Sequence, residues 1–190
     1  MYAELARVRA ELCAEGQAFE LENIEINGIK VRAWKNAAAN LRDFWLSTAG
    51  HGDATYLVYG DERWTYAESH EHVCRIARWL ADNGVKPGDR VAIAMRNYPE
   101  WLLSYWAIVS IGAVAVGVNA WWVPEELAYG FNDSAPVVLI CDRERLQRYN
   151  EIRNTCPAMM VVGVRCDDDL TEDETPWSEV LQSAADMPHV

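Results

Sequence analysis

Between Thr55 and Val164, short apolar runs alternate with segments of helical pattern, and only a few residues separate one from the next. A parallel strand pair needs a crossover long enough to hold a helix, so strands alternating with helices run parallel. Thr55 to Tyr66 reads as a hairpin turning at Gly60-Asp61-Glu62. Thr65-Tyr66-Ala67-Glu68 is a capping box that opens a helix reaching Asn83 and stopping at Gly84. Pro87-Gly88-Asp89 turns the chain into a strand over 90–95, and Asn97, with Glu100 three residues later, is placed to cap a helix reaching Ile111. A strand over 113–118 follows. Pro124, with Glu125 and Glu126, then starts a helix ending near Asp133 and Ser134. A strand over 137–141, a helix near 143–152 and a strand near 159–164 complete the series. Strands this apolar are covered on both faces. The expected fold is therefore α/β, an open, mostly parallel sheet with helices on both faces and right-handed crossovers.

The flanks differ from this middle. Residues 2–15 carry a short helical stripe, Leu5, Val8 and Leu12, and Gly16 follows. Ile24 to Val31 alternates around Asn27-Gly28, a hairpin signal, and a helix is expected over 38–48. From Asp167 to Val190 there are eight acids and no Lys or Arg, so the net charge of −12 falls to −4 over the first 166 residues. That run reads as a solvated loop, followed by a short helix at Trp177–Leu181. It lacks the alternating ligands and mid-loop glycine of a calcium loop. Three parts are expected: 1–36, an N-terminal helix and hairpin; 37–166, the α/β subdomain; and 167–190, the acidic loop and helix.

Charge and cysteine usage exclude several classes. An acidic chain without a basic footprint is no nucleic-acid binder. Five cysteines without a C-x-x-C pair suit neither a disulfide framework nor a zinc site, and read as reduced thiols of a cytoplasmic protein. The first residues have no apolar core run and so do not read as a signal peptide. Trp101 to Pro124 carries no charge, yet Gly112, Gly117 and Asn119 interrupt it and its flanks are acidic. It reads as a buried helix followed by a buried strand, with no membrane span.

A search for chemistry returns no complete site. Neither common glycine-rich nucleotide fingerprint occurs, nor a serine elbow. Gly50-His51-Gly52 reads as a helix stop. His70 and His72, two apart on a helix, point to nearly opposite sides and cannot chelate one ion. Glu126, Asp133 and Asp142 stand near element ends as helix-capping acids, with no pairing evident. Trp101 and Trp106 read as core. Trp121 and Trp122 follow a strand's carboxyl end, where open α/β sheets place ligands, and are the substrate-pocket candidates. No catalytic, cofactor-binding or metal-binding residue is assigned.

Several runs together carry a resemblance. They are Trp64 to Glu68, Gly84 to Ile93, Asn97 to Trp101, Gly112 to Val116 with Asn119, Glu126 to Tyr129, and Asp133-Ser134. In order and spacing over roughly residues 40–145 they resemble the N-terminal part of the acyl-adenylate-forming (AMP-binding) superfamily. The N-terminal hairpin and Trp121-Trp122 resemble a bacterial fatty-acyl-CoA ligase (acyl-CoA synthetase) subset, with Gly117 where relatives often carry proline. The resemblance implies a parent enzyme that uses ATP and Mg²⁺ to turn a fatty acid or other carboxylate into an acyl-adenylate. The acyl group then passes to the thiol of CoA. It also implies a Ser/Thr/Gly-rich phosphate loop, an acid on the ribose and a mobile-domain lysine, none of which stands in this chain. The segment is expected to be inactive alone, to bind none of these cofactors and to self-associate as a dimer. The alternatives are a stand-alone binding or interaction module that kept the scaffold and, less well supported, a small nucleotide-binding oxidoreductase.

Overall fold

A computed structural model describes residues 2–189. The chain divides into two compact units, one ending at Asn40 and the other beginning at Leu41. That boundary lies four residues beyond the one expected after residue 36.

The first unit holds α1 (Tyr2–Leu12), β1 (Leu21–Ile26) and β2 (Ile29–Trp34). Asn27 and Gly28 both have positive φ, 51° and 80°, the pair a tight two-residue hairpin turn requires. The strands pair antiparallel, Ile24 opposite Val31 and Ile26 opposite Ile29. The helix is shorter than expected. Ala14 N–H reaches back only to Glu11 O, and Gly16, at φ 77°, ends the turn. No described residue of this unit is buried.

The second unit contains α2 (Leu41–Ser47), the hairpin β3 (Thr55–Tyr59) and β4 (Glu62–Thr65), and α3 (Tyr66–Asp82). The Thr65 hydroxyl accepts from Glu68 N–H at 3.1 Å while the Glu68 carboxylate accepts Thr65 N–H at 2.8 Å, the capping box read from the sequence. Next come β5 (Arg90–Ala94), α4 (Pro99–Ser110), β6 (Val114–Gly117), α5 (Pro124–Ser134), β7 (Val138–Asp142), α6 (Arg143–Ile152) and β8 (Met160–Val164). The last elements are β9 (Thr175–Pro176) and α7 (Trp177–Val180). One sheet runs β6-β5-β7-β8-β9, and every pairing in it is parallel.

Alternation along the strands builds two cores. Val91, Ile93, Val138, Ile140, Val162 and Val164 face α3 and α4, with Trp45 of α2 buried among them. Ala92, Ala94, Leu139, Cys141 and Val161 face α5 and α6 through Leu127, Phe131, Leu146 and Tyr149. The uncharged stretch 101–124 is thus most of α4 followed by β6. No helix among the described residues is long and apolar enough to cross a membrane.

Two local expectations are corrected. Asn97 does not cap α4. Tyr98 is the N-cap with no side-chain bond, Pro99 takes the first helical position, and Glu100 instead pairs with Arg165 at 2.8 Å. A proline there fixes φ for the helix start and keeps the preceding residue extended. The acidic run is also more than a solvated loop. Glu174 is buried, accepting Thr171 N–H and pairing with Arg153, while Asp169 pairs with Arg143 and Asp186 with Arg78. Its short strand β9 carries no periodicity that a sequence could show.

Candidate functional site

Strand order decides where a crevice opens. From β5 the chain passes through α4 on one face to β6. From β6 it crosses back through α5 on the other face to β7. The connections leave the carboxyl ends of β5 and β7 in opposite directions, and ligands of open α/β sheets bind in the gap between them. A cavity of about 750 Å³ lies there. Its walls include Arg96 and Tyr98 after β5, Trp121 after β6, Asp142 at the end of β7, Arg145 in α6, and Arg165 after β8.

A buried ion pair forms the floor. The Asp142 and Arg145 side chains are 5% and 2% exposed and meet at 3.0 Å. Asp142 Oδ1 accepts Arg145 N–H at 3.1 Å, capping α6, and Oδ2 accepts Arg96 N–H at 3.0 Å, tying the end of β5 to the end of β7. The Arg145 guanidinium also donates to Ala120 O at 2.8 Å through Nε, which fixes the loop carrying Trp121.

A second guanidinium closes one side. Arg165 donates through both terminal nitrogens to Glu62 at 3.0 Å and through Nε to Glu100 at 2.8 Å. It also lies over the rings of Tyr98 and Tyr59, at 4.9 and 5.3 Å. Its hydrogen bonds to Glu62 raise its pKa and hold the Glu62 carboxylate below the ordinary range. This clasp fastens the β3–β4 hairpin to the cavity wall, and its backbone adopts φ 56°, uncommon for a residue other than glycine. Hydrogen bonds join three side chains of the clasp, Arg165, Glu62 and Glu100, and the two tyrosine rings add cation–π contact.

The rim differs. The Arg96 guanidinium lies 4.3 Å from the centre of the Trp121 indole, a cation–π contact, and no ion pair among the described residues includes it. Trp121 is 67% exposed.

The two candidate tryptophans therefore have different surroundings. Trp121 lines the cavity and, with Trp101, Gly117 and Asn119, a shallower neighbouring recess of about 400 Å³. Trp122 is half-buried against the α5–α6 core and lies over Gly130, where an added Cβ would come within 2.8 Å of its ring. Trp106 stacks on Trp45 at 5.0 Å and donates to Tyr56 Oη, while Trp101 stacks on Tyr105. His70 stacks on Trp45 at 4.2 Å and His72 stands edge-on to Trp64, so the two rings face different neighbours. Asp142, read as an unpaired capping acid, is both cap and ion-pair partner. Sequence reasoning passed over Arg96, Arg145 and Arg165. The i, i+3 spacing of Asp142 and Arg145 across a strand-to-helix junction was the one signal available for them.

A family model described as AMP-binding enzyme matches residues 44–189, most of the chain and all of the cavity. The chain belongs to the AMP-binding enzyme family. The crotonobetaine/carnitine–CoA ligase of Salmonella typhimurium is 32% identical over 120 residues, covering 60% of this chain and 23% of that protein. A medium/long-chain-fatty-acid–CoA/3-oxocholest-4-en-26-oate–CoA ligase of Mycobacterium marinum is 34% identical over 112 residues, 59% of this chain and 20% of that one. The match thus spans between a fifth and a quarter of the length of these relatives. The crystal structure of coronafacic acid ligase from Pectobacterium brasiliense superimposes with a TM-score of 0.73 at 22% identity, over 79% of this chain and 31% of that one. That match shows the shared fold.

AMP-binding enzymes of the CoA-ligase type use ATP, Mg²⁺ and CoA as full-length proteins. The residues at the cavity do not fit a magnesium–triphosphate group. Asp142, Glu144, Glu62 and Glu100 are all held by guanidinium groups, and no glycine-rich loop adjoins them. They do fit a single anionic group at the Arg96 rim.

Proposed function

We propose that this chain is the N-terminal part of an ATP-dependent acyl-CoA ligase acting on a fatty acid or related carboxylate in the cytoplasm. Such a ligase couples the carboxylate to AMP with release of pyrophosphate, then passes the acyl group to the CoA thiol. The carrying observation is the family match over 44–189 on a fold whose crevice lies at the switch in strand order. In this reading the segment 167–190 leads toward the phosphate loop. Arg96, stacked on Trp121, meets an anionic end of a ligand.

The 190 residues contain no Ser/Thr/Gly-rich loop ending in Pro-Lys-Gly, the element expected to aim donors at developing phosphoryl charge. The isolated chain is expected to show no carboxylate-dependent exchange of pyrophosphate into ATP. Exchange above background by the purified chain would refute this. Self-association is expected as well, because β6 is an outer strand with Val114 47% exposed. A monomer by light scattering at tens of micromolar would count against that part.

A further inference from the structure

The first unit carries a second concavity, made of residues none of which line the cavity described above. Leu5, Val8 and Leu12 of α1 form one wall, and Phe19, Leu21 and Trp34 the other, around about 710 Å³. That volume is in the range of small-molecule sites, about 300–1,000 Å³. Phe19 is 52% exposed and Trp34 60%, so the unit leaves its largest apolar side chains in water. Two arginines, Arg9 and Arg32, also line the groove. In the same unit Arg7 is held by Glu4 and Glu11, and Lys35 by Glu20. Among the described residues neither Arg9 nor Arg32 has a carboxylate partner.

Apolar walls with unpaired guanidinium groups alongside match one ligand chemistry, a hydrocarbon chain ending in an anion. We infer that this groove binds a free long-chain carboxylate, one molecule per chain. The net charge of −12 disfavours the other anionic source, a lipid surface, which repels the whole chain where a single molecule meets only the local field. A second copy fits less well. The lining of the groove includes no carboxylate that a second copy, docked groove to groove, could offer to Arg9 or Arg32.

The test is a titration of the full chain with cis-parinaric acid, a fatty acid whose emission rises when it leaves water. Saturable binding at one per chain is expected, displaced by hexadecanoate far better than by hexadecanol. The double variant Arg9→Glu with Arg32→Glu is expected to weaken binding at least about tenfold, whereas Arg9→Lys with Arg32→Lys retains most of it. Circular dichroism checks that both variants fold. Binding unchanged by the charge reversal overturns the inference. So does binding lost through Trp121→Ala instead, which would place the ligand in the sheet cavity and leave the ligase reading standing. Uptake seen only on phosphatidylglycerol vesicles, or groove variants that alter the monomer–dimer balance without probe binding, also overturns it.

Discussion

Replacing Asp142 by alanine tests whether the floor of the cavity is held as described. The substitution removes the side-chain cap of α6, worth about 1 kcal/mol, and the acceptor for Arg96 N–H. It also leaves the Arg145 guanidinium, 2% exposed, without its buried partner. Breaking a buried pair from one side costs about 3–5 kcal/mol. Glu144 stays at 3.0 Å from Arg145, and Ala120 O still accepts from it, which puts the expected loss near the low end, about 3 kcal/mol. For a chain of this size that corresponds to a fall in Tm of about 6–12 °C. Arg145→Met is expected to cost less. Asp142 would keep two backbone N–H donors, and Ala120 O would keep Arg148 Nη1 at 3.1 Å. Urea unfolding followed by tryptophan emission measures both variants. Asp142→Ala within about 1 kcal/mol of the parent, or Arg145→Met costing more than Asp142→Ala, would refute the reasoning.

Two further outcomes follow from the same structure. In β8 a Cβ on Gly163 would lie 2.4 Å from Leu170 Cδ2 and 3.0 Å from Cys166 Sγ. Gly163→Ala should therefore destabilise by about 1–3 kcal/mol, and adding Leu170→Ala should restore part of that in urea melts; no recovery would refute the clash. Burial lowers the His70 pKa, so the unfolded chain binds more protons than the folded one just below the ordinary histidine value. Stability from this group is complete above about pH 6.5 and declines as pH falls toward the lower folded value. His70→Gln should flatten that part of a Tm-against-pH curve, and superimposable curves would argue against it.

Local signals were readable wherever a residue type has few alternatives. Thr65 with Glu68, Asn27 with Gly28, and Pro124 with its two acids each specify one local geometry, and the structure follows them. The apolar runs of β5, β7 and β8 likewise declared a sheet covered on both faces. The partners of long-range charges could not be read. Arg165 meets Glu62 and Glu100 across more than sixty residues of sequence, and Arg153 meets Glu174 across twenty-one. Such pairings depend on strand order, which alternating pattern does not encode. For the same reason Trp121 and Trp122, equivalent in sequence, separated only once α5 was in place to cover one of them.

The fate of the acidic run bears on how an anion meets the cavity. Asp169 neutralises Arg143, Glu174 neutralises Arg153, and other carboxylates occupy Arg145, Arg148 and Arg165. Among the described arginines that line the cavity, Arg96 is the one left without a carboxylate partner. A single uncompensated pole fixes where an approaching anion places its charged end, where a cluster of open arginines would accept that end at several positions. The tail that seemed to make the chain merely acidic thus sharpens the directionality of the cavity it flanks.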